Sequence, residues 1–250
     1  MTPADVAERI RTNLEAVRVR IARAASNAHR SPTEITLVAV SKTFPASYVR
    51  AAAAAGHRDF GENKVQEALE KVDATADLDI RWHLIGHLQS NKARRSVGPF
   101  ALIHAVDNAA LLGRLDAVAL EAGVTVDVLV QVDLAGEATK FGLEPAAVRP
   151  LFDAASANRG ARIRGLMLLP PFADDPEASR PYFRQLRELQ QRWLADGVSP
   201  DQLGELSMGM SHDFDVAIEE GATLVRVGTA IFGDRRPAGA DERDTGALSA

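Results

Sequence analysis

Eight short β-rich runs, interleaved with stretches able to form helices, constrain this chain more than any other feature of its sequence. The runs cover residues 35–42, 59–63, 82–86, 102–107, 126–134, 162–170, 205–211 and 223–232, with helix-like stretches such as 46–55, 108–122, 144–158 and 180–195 among them. Strands that alternate with helices imply a parallel sheet. Leu37-Val38-Ala39-Val40 and Val128-Leu129-Val130 are continuously apolar, as strands buried on both faces must be. Eight units with no interdomain linker favour an α/β fold closed into a single (β/α)8 TIM barrel, and 250 residues is a usual size for one. Val6, Ile10, Leu14, Val17 and Ile21 fall on one stripe of an amphipathic helix, so residues 1–30 are read as a leading helix outside the repeat. The expected organisation is one domain over 1–233 followed by a tail, 234–250, whose Gly, Pro and charged residues have little to bury and predict mobility.

Composition narrows what such a barrel can do. A formal net charge of −5 without any basic run argues against a sequence-independent nucleic-acid surface. Cysteine is absent, which excludes disulfides, thiolate nucleophiles and Cys-based zinc or iron–sulfur centres. His83 and His87 straddle a strand and a turn rather than sharing a helix face, so no zinc site is expected there. His104 and His212 read as structural or loop residues, and Trp82 as part of the barrel wall. Residues 1–30 resemble neither a signal peptide nor a membrane span, so a cytoplasmic protein without membrane partners is expected.

The active face of an α/β barrel is built at the carboxyl ends of its strands. Those ends carry Ser41-Lys42, Gly61-Glu62-Asn63, Asp107-Asn108, Lys140-Phe141-Gly142, Ser207 to Ser211, and Arg226-Val227-Gly228-Thr229, while the third run leads into His87 to Lys92. Lys42 follows the apolar run 37–40, so its ammonium would begin inside the barrel mouth. Burial there favours the free amine, which condenses with aldehydes. A snorkelling rim lysine fits the position equally well. The chain, however, has 24 Arg against 5 Lys, and arginine cannot form a Schiff base. Lys64, Lys92 and Lys140 also fall near strand ends, whereas Lys71, on a helix, calls for no special account. Ser207, Gly209 and Ser211 before a helix over 213–220, with Gly228 and Thr229 after the eighth strand, could supply a phosphate site, or could simply form tight turns. No Walker loop or Gly-x-Gly-x-x-Gly occurs. Arg226, within an apolar run, needs an acceptor. A pyridine nitrogen is one candidate and an ion pair with Glu205 or Asp215 is the other.

Several segments occur together and in order: Val38-Ala39-Val40-Ser41-Lys42-Thr43, Phe60-Gly61-Glu62-Asn63, Trp82-His83-Leu84-Ile85-Gly86, Gly165-Leu166-Met167, Leu206-Ser207-Met208-Gly209-Met210-Ser211, and Val225 to Gly233. Over residues 35–233 the chain closely resembles the pyridoxal phosphate homeostasis proteins, the YggS/PROSC family. The resemblance implies a fold type III barrel like the N-terminal domain of alanine racemase and, as cofactor, pyridoxal 5'-phosphate (PLP). It further implies that Lys42 forms the Schiff base, Asn63 flanks the cofactor, Arg226 faces the ring nitrogen, and Ser211, Gly228, Thr229 and Ser207 hold the phosphate. Lys64 stands where a tyrosine is frequent in that family. Alanine racemases add a β-domain that supplies a catalytic tyrosine, and after Gly233 no such domain is expected.

The function expected is therefore storage and delivery of PLP by a monomer, without robust catalysis, with PLP-requiring apo-enzymes as transient clients. A weak PLP-dependent racemase is the alternative, favoured only if a base faces the substrate; Tyr48 and Tyr182, the only tyrosines, are not at predicted strand ends. A Schiff-base aldolase working without cofactor would use Lys42 but leave Arg226 and the eighth-strand residues unexplained.

Overall fold

The structure, a computed structural model, describes residues 2–136 and 141–234. Lys140 and, apart from Asp234, the tail expected over 234–250 lie outside the described residues. The chain opens with α1 (Pro3–Asn27), started by a capping box in which Thr2 and Asp5 each accept the other's backbone N–H. Then follow β1 (Thr36–Val40), α2 (Ala46–Ala54), β2 (Asp59–Glu62), α3 (Val65–Ala74), β3 (Arg81–Leu84), α4 (Ala93–Ser96), β4 (Leu102–Val106), α5 (Ala109–Ala122) and β5 (Val126–Val132). The second half comprises α6 (Pro145–Ala155), β6 (Ala161–Leu168), α7 (Arg180–Ala195), α8 (Pro200–Leu203), β7 (Glu205–Met210), α9 (Phe214–Glu219), β8 (Leu224–Val227) and α10 (Thr229–Phe232).

All eight strands pair in parallel and in chain order, and β8 returns beside β1 to close the barrel. An inner layer of Val38, Leu102, Leu129, Met167 and Leu224 packs separately from the larger core between strands and helices, where Trp82 lies against Phe60. One expectation needs correction. The eighth run was read as strand to residue 232, but β8 ends at Val227, and the Ile231 and Phe232 amides both donate to the Gly228 carbonyl at 2.9 Å. Burial of Ile231 and Phe232 overrides their preference for strand.

That short helix explains the leading one. Four residues cannot cover the β8–β1 side of the barrel, and α1 does so by packing on α2, α9 and α10. Ile10, Leu14, Val17 and Ile21 are buried along its inner stripe, as the spacing predicts, and Val6 is half-buried. Polar contacts fix its register: Asn13 Nδ2 donates to the Ile231 carbonyl at 2.9 Å, and Arg20 pairs with Asp215 while lying over the Phe214 ring.

Where β1 ends, a buried polar cluster fixes the chain. Lys71, expected to be unremarkable, is 6% exposed and projects from α3 into the loop after β1. Its ammonium donates to the Ser41 carbonyl (2.8 Å), to Glu62 Oε1 (2.7 Å) and to Glu67 Oε1 (2.9 Å). Ser41 Oγ also donates to Glu62 Oε1, at 2.6 Å. Burial pushes the Glu62 carboxyl up, with Lys71 and Ser41 pulling it back; Glu67 is held below the usual range because its bonds from Lys71 and the Thr43 amide outweigh burial.

Truncating α1 inside its stripe, as in Leu14→Ala, should lower unfolding free energy by about 2–5 kcal/mol in denaturant melts. A loss near zero would mean that α1 is not part of the barrel's core. Lys71→Met should cost about 3 kcal/mol by the same measure, near the lower end for a broken buried pair because Glu62 can protonate. An unchanged melt would show that the cluster does not hold the loop.

Candidate functional site

Lys42 sits in a tight turn that the Lys71 cluster restrains from outside. The Phe44 amide donates back to the Ser41 carbonyl at 3.0 Å, which makes Lys42 and Thr43 the two central residues. Thr43 has φ +70°, a left-handed conformation unfavourable for a β-branched residue. Glu67 compensates by accepting the Thr43 amide at 2.6 Å. Backbone strain next to the candidate nucleophile is thus held by carboxylates and an ammonium outside the barrel. Period-two alternation places Lys42 on the same face of its strand as Val38 and Val40, which look into the barrel.

Lys42, Asn63, Ser211, Arg226, Gly228 and Thr229 all line one cavity of about 600 Å³ at the carboxyl end of the barrel. That volume suits a small organic cofactor. The seventh candidate, Ser207, does not reach it. Ser207 is fully buried beneath the floor, where its Oγ meets His104 Nδ1 at 2.8 Å and accepts a hydrogen bond from Arg226 Nη1. Ser207 thus contacts Arg226 from below and is not part of the cavity lining, where a phosphate role would place it. Gly209 is also structural: its φ is +91°, and a Cβ there would fall 2.5 Å from the Ala217 Cβ.

Arg226, 3% exposed, forms part of the cavity floor. Neither carboxylate proposed as its partner pairs with it: Glu205 accepts from Thr223 Oγ1, and Asp215 accepts from Arg20. Its hydrogen bonds go to Ser207 and to the Leu168 carbonyl, the latter at 2.9 Å from Nη2. Burial pushes its guanidinium down to about 10, with Asp213 opposing. On the adjacent wall Ser211 Oγ accepts the Gly228 amide at 3.0 Å and the Ala230 amide at 3.4 Å, so a hydroxyl and main-chain N–H groups converge there. Asn63 is placed by the backbone of Gly86, where a Cβ would come within 2.3 Å of the Asn63 carbonyl oxygen.

The cavity wall also holds residues that were not among the seven site candidates. His87 stacks on Phe141 with ring centroids 3.7 Å apart and an interplanar angle of 8°, and its Nδ1 lies 3.1 Å from Asp107 Oδ2. His83, by contrast, faces the barrel interior, so the two histidines point to different environments. Gln131, Leu169 and the exposed Phe172 complete much of the wall. Phe172 lies four residues beyond the end of β6, and its exposure is visible only once the loop is folded.

The family model of the alanine racemase N-terminal domain matches residues 12–236 of this chain. The pyridoxal phosphate homeostasis protein of Aquifex aeolicus is 43% identical over 224 residues, which cover 89% of this chain and 97% of that one. The homologue of the same name in Pseudomonas aeruginosa is 44% identical over 226 residues, 90% of this chain and 96% of that one. Among solved structures, PipY of Synechococcus elongatus with PLP bound superposes with a TM-score of 0.74 at 44% identity, covering 85% of this chain and all (100%) of that one. Alanine racemase of Streptomyces lavendulae, at 23% identity and a TM-score of 0.69, shares the barrel fold, and the match covers 91% of this chain and 57% of that one. By sequence and by fold, this chain belongs to the pyridoxal phosphate homeostasis protein family.

Proposed function

We propose that this protein binds PLP on Lys42 and holds it in reserve for apo-enzymes that need it. The observation that carries this reading is the meeting of a primary amine, a buried guanidinium and a hydroxyl with main-chain N–H groups in one cavity of about 600 Å³. When bound, PLP supplies an aldehyde carbon that condenses with an amine and a pyridine ring that draws electrons. The residues present fit that group. The strained turn aims the Lys42 amine for the covalent link, and Ser211, Thr229 and the main chain of Gly228 would receive the phosphate. Arg226 is a fixed donor, and a ring nitrogen beside it accepts a hydrogen bond rather than taking a proton. That arrangement blunts the ring as an electron sink and so suits holding the cofactor over turning it over.

Handover to client enzymes is part of this reading. The cavity is open at the carboxyl face, where the exposed Phe172 and Phe141 stand at its wall. Every residue named comes from one barrel, so a monomer suffices. Among the described residues no helix is long and apolar enough to cross a membrane.

Protein mixed with PLP should turn yellow, and borohydride should then fix the adduct to Lys42 in the intact mass and in the peptide map. Lys42→Ala should take up no such mass; equal incorporation by both proteins defeats the assignment.

A second reading, a weak PLP-dependent racemase, draws on the His87–Asp107 pair, which places a base in the cavity wall. The two readings part on α-proton exchange. With amino acids in deuterated water, the loaded protein is expected to show no sustained exchange. Multiple-turnover exchange that drops in His87→Gln would establish the racemase instead.

A further inference from the structure

Polar side chains inside the barrel form an unbroken line of hydrogen bonds from one end to the other. At the amino-terminal end, Asp59 on β2 borders a crevice of about 210 Å³ together with Arg81 and His83. Arg81 Nη2 donates to Asp59 Oδ2 at 2.6 Å, and His83 Nε2 lies 3.0 Å from Asp59 Oδ1. His83 Nδ1 lies 3.0 Å from His104 Nε2 across β3 and β4, and His104 Nδ1 lies 2.8 Å from Ser207 Oγ on β7. Ser207 Oγ accepts from Arg226 on β8, the residue in the cavity floor. From Asp59, 8% exposed, to Arg226, 3% exposed, every member of the line is buried.

A donor at one end and an acceptor at the other fit one direction for all the hydrogens between them. A guanidinium only donates, so Ser207 accepts from Arg226 and has its own hydrogen free for His104 Nδ1. Burial drives His104 far below the usual histidine range, so its ring is neutral and carries its hydrogen on Nε2, aimed at His83 Nδ1. His83 then holds its hydrogen on Nε2 and donates to Asp59. Asp59 is held below the usual carboxylate range because hydrogen bonds from His83 and Arg81 outweigh burial, so it stays an acceptor. All these dipoles point the same way, and aligned hydrogen bonds in a low-dielectric interior strengthen one another.

We propose that Asp59, His83, His104 and Ser207 are positioning residues for Arg226, a relay that carries the pull of a carboxylate at the barrel's amino-terminal end to the guanidinium in the cavity floor. The relay fixes the orientation in which Arg226 offers its remaining donors to the cavity. Its consequence for the cofactor rests on the reading that Arg226 faces the PLP ring. Asp59 thereby influences a ligand it never touches.

Ring-nitrogen NMR of the 15N-labelled protein without PLP tests the relay directly. His83 and His104 should both be neutral with hydrogen on Nε2, and in Asp59→Asn the His104 signals should change to a mixture of tautomers although Asp59 does not contact His104. A charged ring, hydrogen on Nδ1 in the wild type, or His104 signals unmoved by Asp59→Asn in a folded variant would overturn it. With PLP added, Asp59→Asn and Ser207→Ala should each move the midpoint of the pH titration of the coloured band by about half a unit or more, and Ser207→Thr should restore it. Superimposable titrations from folded, PLP-loaded variants reject the relay's effect on the cofactor. Wild-type protein that stays colourless with PLP defeats the Lys42 reading, while the nitrogen spectra of the cofactor-free protein still decide the relay.

Discussion

Parallel pairing of β1 with β8 is the contact on which the rest of this structure turns. It closes the barrel with Val38 opposite Arg226, and so sets the strand that leads into Lys42 against the strand that carries Arg226 and leads into Gly228 and Thr229. Two chemically opposite groups, an amine able to react and a guanidinium able only to donate, are thereby held on neighbouring strands of the same cavity. The helix that follows the closing strand, α10, has only four residues. The leading helix covers the β8–β1 side, so the N-terminal stripe of apolar residues and the cavity floor belong to one packing problem.

The barrel interior divides its labour by layer. Val38, Leu102, Leu129, Met167 and Leu224 fill space as apolar side chains do in most such barrels. Threaded past them, Asp59, His83, His104, Ser207 and Arg226 occupy interior positions where polar groups cost free energy unless each is paired. Each has a partner within hydrogen-bonding distance, so the cost is contained, and what remains is a guanidinium with a single permitted orientation. Isolated burial of the same arginine would leave its planar group free to choose among carbonyls.

Much of this was legible before folding, and the omissions share a cause. Alternating strand and helix patterns and the α1 stripe follow from local sequence, because apolar period is a local property; of the seven candidate residues, drawn from strand ends and from the family resemblance, six line the cavity. Ser207, expected at the phosphate, bonds Arg226 instead of lining the cavity; its hydroxyl could as easily face a ligand as an arginine, and only the β7–β8 pairing brings the arginine to it. Lys71 calls for no special account in the sequence because it falls on a helix, where it lies four residues from Glu67. Their burial depends on Glu62 and Ser41, which β1 and β2 bring in from elsewhere. The overextended eighth strand has the same origin: Thr229, Ile231 and Phe232 favour strands in isolation, and the helix they form is set by the packing beneath α1.

The scarcity of lysine acquires a physical meaning from the same contacts. Among the described residues Lys64 and Lys92 are exposed, and the two lysines with structural consequences, Lys42 and Lys71, stand where arginine could not act. In the proposed role Lys42 would offer an amine that can lose its proton and bond to carbon, which a guanidinium does not do. Lys71 directs three donors from one compact centre to a carbonyl and two carboxylates that converge from a strand end and a helix. A flat, forked guanidinium spreads its donors in a plane and does not direct three of them from one compact centre. Arginine, by contrast, serves where a planar donor suits the partner, over the Phe214 ring for Arg20 and between a hydroxyl and a carbonyl for Arg226. The two cation types are therefore sorted by geometry: compact ammonium groups hold and form the reactive turn, and planar guanidinium groups brace the frame around it.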